Sequence, residues 1–232
     1  MVRHALLLPL LSVIGCTDGA IELGDTGKSG GDTDTDADTD TDTDTEVDPS
    51  WATVESCRAA HSGGFNDWIV AGGQAFVVHG NSDEDAQLGR DTLESYSELL
   101  AGTFASFELR AAADLTAEER TASLFVVGHP DTQPLLAEMD GSLPVRFTDE
   151  GFVFGGQRWD DPQAGLALIH PSPFATGTMV LVFAGNSFEG ASNTFTVMTG
   201  RHDYHVVSGS GSLAVEGELC TDTTPWSVVT AG

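Results

Sequence analysis

Leu124-Phe125-Val126-Val127 is a continuous apolar run rich in β-branched residues. A strand of this kind has no face to give to water, so both its faces must be covered by other elements. Gly128, His129 and Pro130 stop the run, and Asp131 or Thr132 can then cap a helix carrying Leu135, Leu136 and Met139. The stretch Ser123 to Met139 therefore reads as strand, turn and helix, the repeating unit of an open α/β sheet. Ligands of such sheets sit where the turns after the strands gather.

Strand and helix signals alternate around it. Ala75 to His79 reads as a first strand, ended by Gly80-Asn81, and a helix follows from Ser82 or Asp83 to Ala101 with Leu88, Leu93, Tyr96, Leu99 and Leu100 on its apolar face. Phe104 to Leu109 is a second strand, and Thr116 is the N-cap of a short helix. Val145-Arg146-Phe147 and Phe152-Val153-Phe154 flank Thr148 to Gly151 as a β-hairpin. Gly165 to His170 and Thr178 to Ala184 are further buried strands, Gly190 to Met198 has helical spacing, and Tyr204 to Ser208 and Leu213 to Leu219 close the chain. The expected fold is a single α/β domain over residues 51–232. It is a mainly parallel open sheet, Rossmann- or flavodoxin-like, with helices on both faces and an inserted antiparallel hairpin.

The residues before this domain set its compartment. Arg3 and His4 precede an apolar run, Ala5 to Ile14, that is too short to span a bilayer. It ends in Val13-Ile14-Gly15-Cys16, which resembles the lipobox of bacterial lipoprotein signal peptides. The resemblance implies a signal peptide over residues 1–15, cleavage before Cys16, and acylation of the Cys16 thiol and new amine. Val13 stands where that family more often has Leu. An ordinary secretory signal with an incidental Cys16 is the plainer alternative, and a small residue directly before the Cys favours the lipoprotein. Several acyl chains anchor a protein firmly, where one does not. Thr17 in place of Asp after the acylated Cys points, by the same resemblance, to the outer membrane. The protein is expected in the cell envelope, periplasmic or surface-facing.

Residues 16–50 read as a disordered Asp/Thr-rich linker. Gly31 to Pro49 is nearly pure Asp-Thr alternation, without an apolar face and with repulsive charge along its length. Asp32, Asp34 and Asp36 open like a calcium loop, but Ala37 and Thr43 stand where such a loop needs Gly and Glu. Gly27-Lys28-Ser29 has the end of a phosphate-binding loop, with Glu22 where its first Gly belongs. The first leaves room for weak, nonspecific Ca²⁺ association but not for a structured site, and the second match is discarded.

Charge narrows the partners. Acidic residues number 36 against 9 basic ones, a formal net charge of -27. Such a chain is repelled by phosphate backbones, which excludes nucleic acid as a partner. The expected contact is with the membrane, through the lipid anchor. With Cys16 set aside for lipid, Cys57 and Cys220 remain, one near each end of the domain. In an exported protein they are expected to pair as a disulfide.

FVVGHPDTQPLLAEM, LPVRFTDEGFVFGGQRW, LALIHPSPF and VLVFAGNSFEG follow one another in an order similar to the small α/β domain that trails the hydrolase in some secreted bacterial esterases of the prolyl-oligopeptidase type. The resemblance covers most of Ala75 to Gly190 and implies a fold and an export habit. It carries over no catalytic residue, because the family's catalytic Ser lies in the hydrolase part. His79 and His170 replace the Tyr that the family tends to have at two strand ends.

Three histidines, His79, His129 and His170, each end a predicted strand, and in a parallel sheet those ends converge on one crevice. Three imidazoles can hold zinc; the plainer reading is three loop histidines that never meet. Asn81, Asn186 and Ser187 border the same expected crevice as hydrogen-bonding candidates. Gly185-Asn186-Ser187-Phe188-Glu189 lacks the closing Gly of a nucleophile elbow, so Ser187 reads as a helix N-cap. No Gly-x-Gly-x-x-Gly follows the first strand, and no cofactor is implied. The sequence reads as a noncatalytic binding or interaction module with no catalytic residue assigned. The alternative is a metal-assisted hydrolase built on His79, His129 and His170.

Overall fold

The protein is described here by a computed structural model covering residues 48 and 50–230, except 71–72, 197–200 and 210. The expected signal peptide, the lipobox with Cys16 and nearly all of the linker lie outside the described residues. Strand β1 (Thr53–Val54) and helix α1 (Phe65–Val70) lead into β2 (Gln74–His79). Helix α2 (Asp83–Ser97) begins where Ser82 Oγ accepts the Asp85 N–H at 2.9 Å, with three acidic residues in its first turn facing the positive end of the helix dipole. After β3 (Ser106–Ala111), Thr116 and Glu119 exchange side-chain-to-backbone bonds as a capping box, and a 3-10 turn over Glu119–Thr121 follows.

Strand β4 (Ser123–Gly128) is buried at every position, and helix α3 (Pro134–Glu138) comes next. Its cap is Gln133, in place of the expected Asp131 or Thr132: Gln133 Oε1 accepts the Leu135 N–H, and Pro134 opens the helix. The hairpin forms as β5 (Val145–Thr148) and β6 (Gly151–Phe154), extended by an unforeseen β7 (Gln157–Trp159). Then come β8 (Gly165–Pro171), β9 (Met179–Gly185), α4 (Phe188–Asn193), β10 (Tyr204–Ser208), β11 (Ser212–Gly217), β12 (Leu219–Cys220) and β13 (Ser227–Val229). Helix α4 is shorter than the Gly190 to Met198 span expected, and Met198 lies outside the described residues.

Seven strands form the main sheet in the order β11-β10-β8-β9-β4-β2-β3. Strands β3, β2, β4 and β9 run parallel, while β8, β10 and β11 are each antiparallel to their neighbours. Strands β5, β6 and β7 make a second, antiparallel sheet, and β1, β13 and β12 a third. The expectation of a mainly parallel Rossmann- or flavodoxin-like α/β domain is therefore corrected. Among the described residues there are thirteen strands against four α-helices, and they lie in mixed and antiparallel sheets.

Two physical causes account for the difference. Parallel neighbours need a crossover of about a dozen residues or more. The link from Pro171 to Met179 is too short for that, so β8 and β9 form a hairpin, closed by the Ser172 N–H on Thr178 O at 2.9 Å. The turn between β10 and β11 is shorter still.

The second cause concerns what covers the sheet. On one face Ala75, Val77, Phe125, Val127, Leu181 and Phe183 pack against Phe65 and Trp68 of α1, Leu88 of α2 and Ala191 of α4. Trp68 is fully buried, and its Nε1–H donates to Leu124 O at 3.1 Å. Phe125 stacks on Phe183 with ring centroids 4.7 Å apart. On the other face Phe76, Val78, Leu124, Val126, Val180 and Val182 meet Leu135, Leu136 and Met139 of α3, Phe152 and Phe154 of the small sheet, and Leu219 and Val228 of the terminal sheet. Among the described residues α3 is the α-helix on that side, joined by Ala112 of a 3-10 turn. Strands do most of the covering on that side.

The predicted disulfide is present. Cys57 and Cys220 are bonded, with Cα atoms 5.6 Å apart. Around it the Thr221 N–H donates to Ala59 O at 2.9 Å and the His61 N–H to Leu219 O at 2.8 Å, so the first residues of the domain are tied to its last strands.

Candidate functional site

The crevice expected beyond the ends of β2 and β4 is filled by the chain itself. Asp85, one turn into α2 and 2% exposed, projects its carboxylate into this space. Oδ1 accepts the His129 N–H at 3.0 Å, and Oδ2 accepts the Thr132 hydroxyl at 2.5 Å. Gly128 is required here twice over. Its φ of 139° is disfavoured for other residues, and a Cβ would stand 2.6 Å from Asp85 Oδ1. Beneath this, buried Gln133 donates from Nε2 to Val78 O and Val127 O, both at 2.9 Å, capping the carbonyls of two neighbouring strands. The Asn81 N–H donates to Thr132 O at 2.7 Å.

The candidate residues divide between the two ends of the sheet. His79 turns its Nδ1 to Gly80 O at 2.7 Å and packs beside Gly89 of α2. His129 Nδ1 accepts the Asp131 N–H at 3.2 Å, so Nε2 carries the proton donated to Asn186 O, also at 3.2 Å. His170 is elsewhere. Because β8 runs antiparallel, His170 pairs with Val180 at the start of β9, while Gly128, just before His129, pairs with Ala184 near its end. Four residues of strand separate those levels, about 13 Å. One metal ion cannot be shared by His79, His129 and His170, because the antiparallel strand carries the third imidazole away from the ends of β2 and β4.

His170 has a structural task at its own end. Its Nδ1–H donates to Pro171 O at 2.9 Å, and its Nε2 accepts the Trp226 N–H at 3.2 Å. Burial pushes its pKa down to about 4, only partly opposed by the Pro171 carbonyl, so the ring is neutral at physiological pH. Asn186 is likewise a fastener. Its Nδ2 donates to Trp159 O at 2.8 Å and Asp161 O at 2.9 Å. Ser187 caps α4, accepting the Gly190 N–H at 3.1 Å and donating its hydroxyl to Pro162 O at 2.6 Å.

Around the His129–Asn186 contact lies an open cleft of about 200 Å³, walled by the β4–α3 turn, the β5–β6 hairpin turn and the segment leading into β8. Its side chains include Asp131, Asp149, Glu150 and Asp160 besides His129 and Asn186, and no Lys or Arg lines it. Outside the lining, Arg158 pairs with Glu150 at 3.1 Å. An adjoining hollow of about 290 Å³ shares Pro130, Asp131, Thr148 and Asp149 and adds apolar Leu136 and Phe147. The cleft therefore repels anions and favours a small cationic group.

Residues not singled out from the sequence are also brought together. His61 lies between two carboxylates, its Nδ1 2.5 Å from Asp203 Oδ1 and its Nε2 2.6 Å from Asp67 Oδ2, with Trp226 beside the ring at 4.7 Å. Burial alone would lower its pKa. The bonds and charge from Asp203 and then Asp67 outweigh this and hold it above the ordinary histidine value. Both ring nitrogens are occupied, which leaves none to serve a nucleophile. Cys57, Cys220 and Asp222 also lie within metal-ligand reach of one another, but the two sulfurs are spent in the disulfide. His61 and Asp203 lie 142 residues apart, and no local pattern announces their pairing. Comparison with known protein families, with curated proteins and with solved structures finds no match for this chain.

Proposed function

We propose that this chain is an exported, lipid-anchored, noncatalytic binding protein, held off the membrane by its Asp/Thr-rich segment, whose acidic cleft takes a small cationic ligand. The observation that carries the reading is the cleft lining: four carboxylates and no Lys or Arg side chain. A volume of about 200 Å³ suits an ammonium group or a hydrated ion better than a drug-sized molecule, which needs about 300 Å³ or more. The disulfide agrees with maturation in an oxidising compartment. Noncatalysis is supported by the bonding of the candidates, since His79, His129 and His170 are each committed to backbone groups.

Calorimetric titration of the full chain with putrescine, and separately with calcium chloride, tests this reading. Binding by wild type that is weakened in an Asp149→Asn/Asp160→Asn variant supports it. No binding, or equal binding by both chains, overturns it, because the Asp-rich segment is unchanged in the variant.

A further inference from the structure

His202, His205 and Glu216 form a cluster at the edge of the main sheet, on the β10–β11 side. His205 and Glu216 are directly opposite each other on β10 and β11, and His202 lies two residues before β10. The His205 side chain is 1% exposed, and its Nε2 has no hydrogen-bond partner. Its Nδ1 faces Glu216 Oε2 at 3.3 Å. His202 Nδ1 is also buried without a partner, while its Nε2 is 3.6 Å from Glu216 Oε1. The Glu216 carboxylate thus has one imidazole nitrogen on each of its two oxygens, which places three metal-ligating groups on one patch of the sheet edge.

We propose that His202, His205 and Glu216 bind one divalent transition-metal ion of the Zn²⁺, Ni²⁺ or Cu²⁺ class. Two imidazoles and a carboxylate are a known donor set for such ions and a poor one for Ca²⁺ or Mg²⁺, which take oxygen ligands. The spacing suits it. Ligands about 2.0–2.1 Å from a tetrahedral ion stand about 3.3 Å from each other, close to the two nitrogen–carboxylate separations of 3.3 and 3.6 Å. Two imidazoles on one such ion have ring centroids about 5 Å apart; here they are 5.9 Å apart. Closure on one ion brings the two rings nearer than their present 5.9 Å, by a turn of the partly exposed His202 ring. That side chain is 33% exposed and Glu216 34%, which leaves both free to adjust and a fourth position open to water. His205 is the fixed member, held in the sheet. The site lies apart from the acidic cleft and does not depend on it.

The test is titration of the full, metal-stripped chain with Zn²⁺ in excess Ca²⁺, which occupies the carboxylates of the Asp-rich segment. One equivalent should bind, and its affinity should fall about tenfold or more in His202→Asn and in Glu216→Gln, since even the partners of metal ligands are worth that much. Both positions are partly exposed, so these variants fold even if His205→Asn does not. With Co²⁺ in place of Zn²⁺, wild type should give a visible ligand-field spectrum that His202→Asn lacks. Absence of one-equivalent binding, or binding unchanged in both exposed variants, overturns the proposal.

Discussion

Replacing Cys57 and Cys220 together by Ala tests how the two ends of the domain are held. The bond closes a loop with a sequence separation of 163 residues. On the chain-entropy model, opening such a loop gives the unfolded chain about 17 cal/mol/K more entropy, or about 5 kcal/mol at 25 °C. For a domain of this size that is a fall in Tm of about 10–20 °C. Most of the effect should arise in the unfolded state, because the backbone bonds from Thr221 to Ala59 and from His61 to Leu219 hold the same segments together without the sulfurs. The denaturant midpoint should therefore fall and the m-value rise, since an unlinked chain expands further. Urea unfolding of wild type, reduced wild type and the double variant is the assay. Reduced wild type and variant should coincide. A loss under about 1 kcal/mol, far below the usual 2–5 kcal/mol, would refute the reasoning, as would free thiols in the unreduced native protein.

Acid should destabilise the protein through His170. With a folded pKa of about 4 against about 6.5 unfolded, the unfolded state binds the extra proton between those values, and stability falls by about 3 kcal/mol as pH drops from 6.5 to 4. A His170→Gln variant should show a shallower fall in thermal melts over that window, and an equal slope would contradict the assignment. Asp85→Ala leaves the His129 N–H without its acceptor and the Thr132 hydroxyl with only its longer bond to His129 O, a cost of about 2 kcal/mol or more in urea unfolding. A cost under about 1 kcal/mol would show that the carboxylate does not hold the crevice shut. At the other end of the chain, mass spectrometry of the mature protein should find an acylated N-terminal Cys16, and an unmodified terminus elsewhere would remove the anchor from the account.

What could be read in the sequence follows what is local in the chain. The apolar runs of β2, β4, β8 and β9, the Ser82 cap and the β5–β6 turn are recorded in neighbouring residues, and all lie where periodicity puts them. Strand direction is not local in the same way. The short link between Pro171 and Met179 did encode a hairpin, yet buried strands look alike whether parallel or antiparallel, so alternation alone suggested the wrong sheet. That one reversal also dispersed the histidine cluster. Asp85 filling the crevice and His61 against Asp203 depend on contacts between distant residues, which spacing does not reveal.

Amide chemical-shift mapping tests the binding reading most directly. The ¹⁵N-labelled full chain is titrated with putrescine, and the account predicts saturable shifts at Gly151, Asp160, His129 and Asn186, the residues around the acidic cleft. Shifts confined to the Asp-Thr segment at 31–49, or spread evenly over the acidic surface, would contradict it.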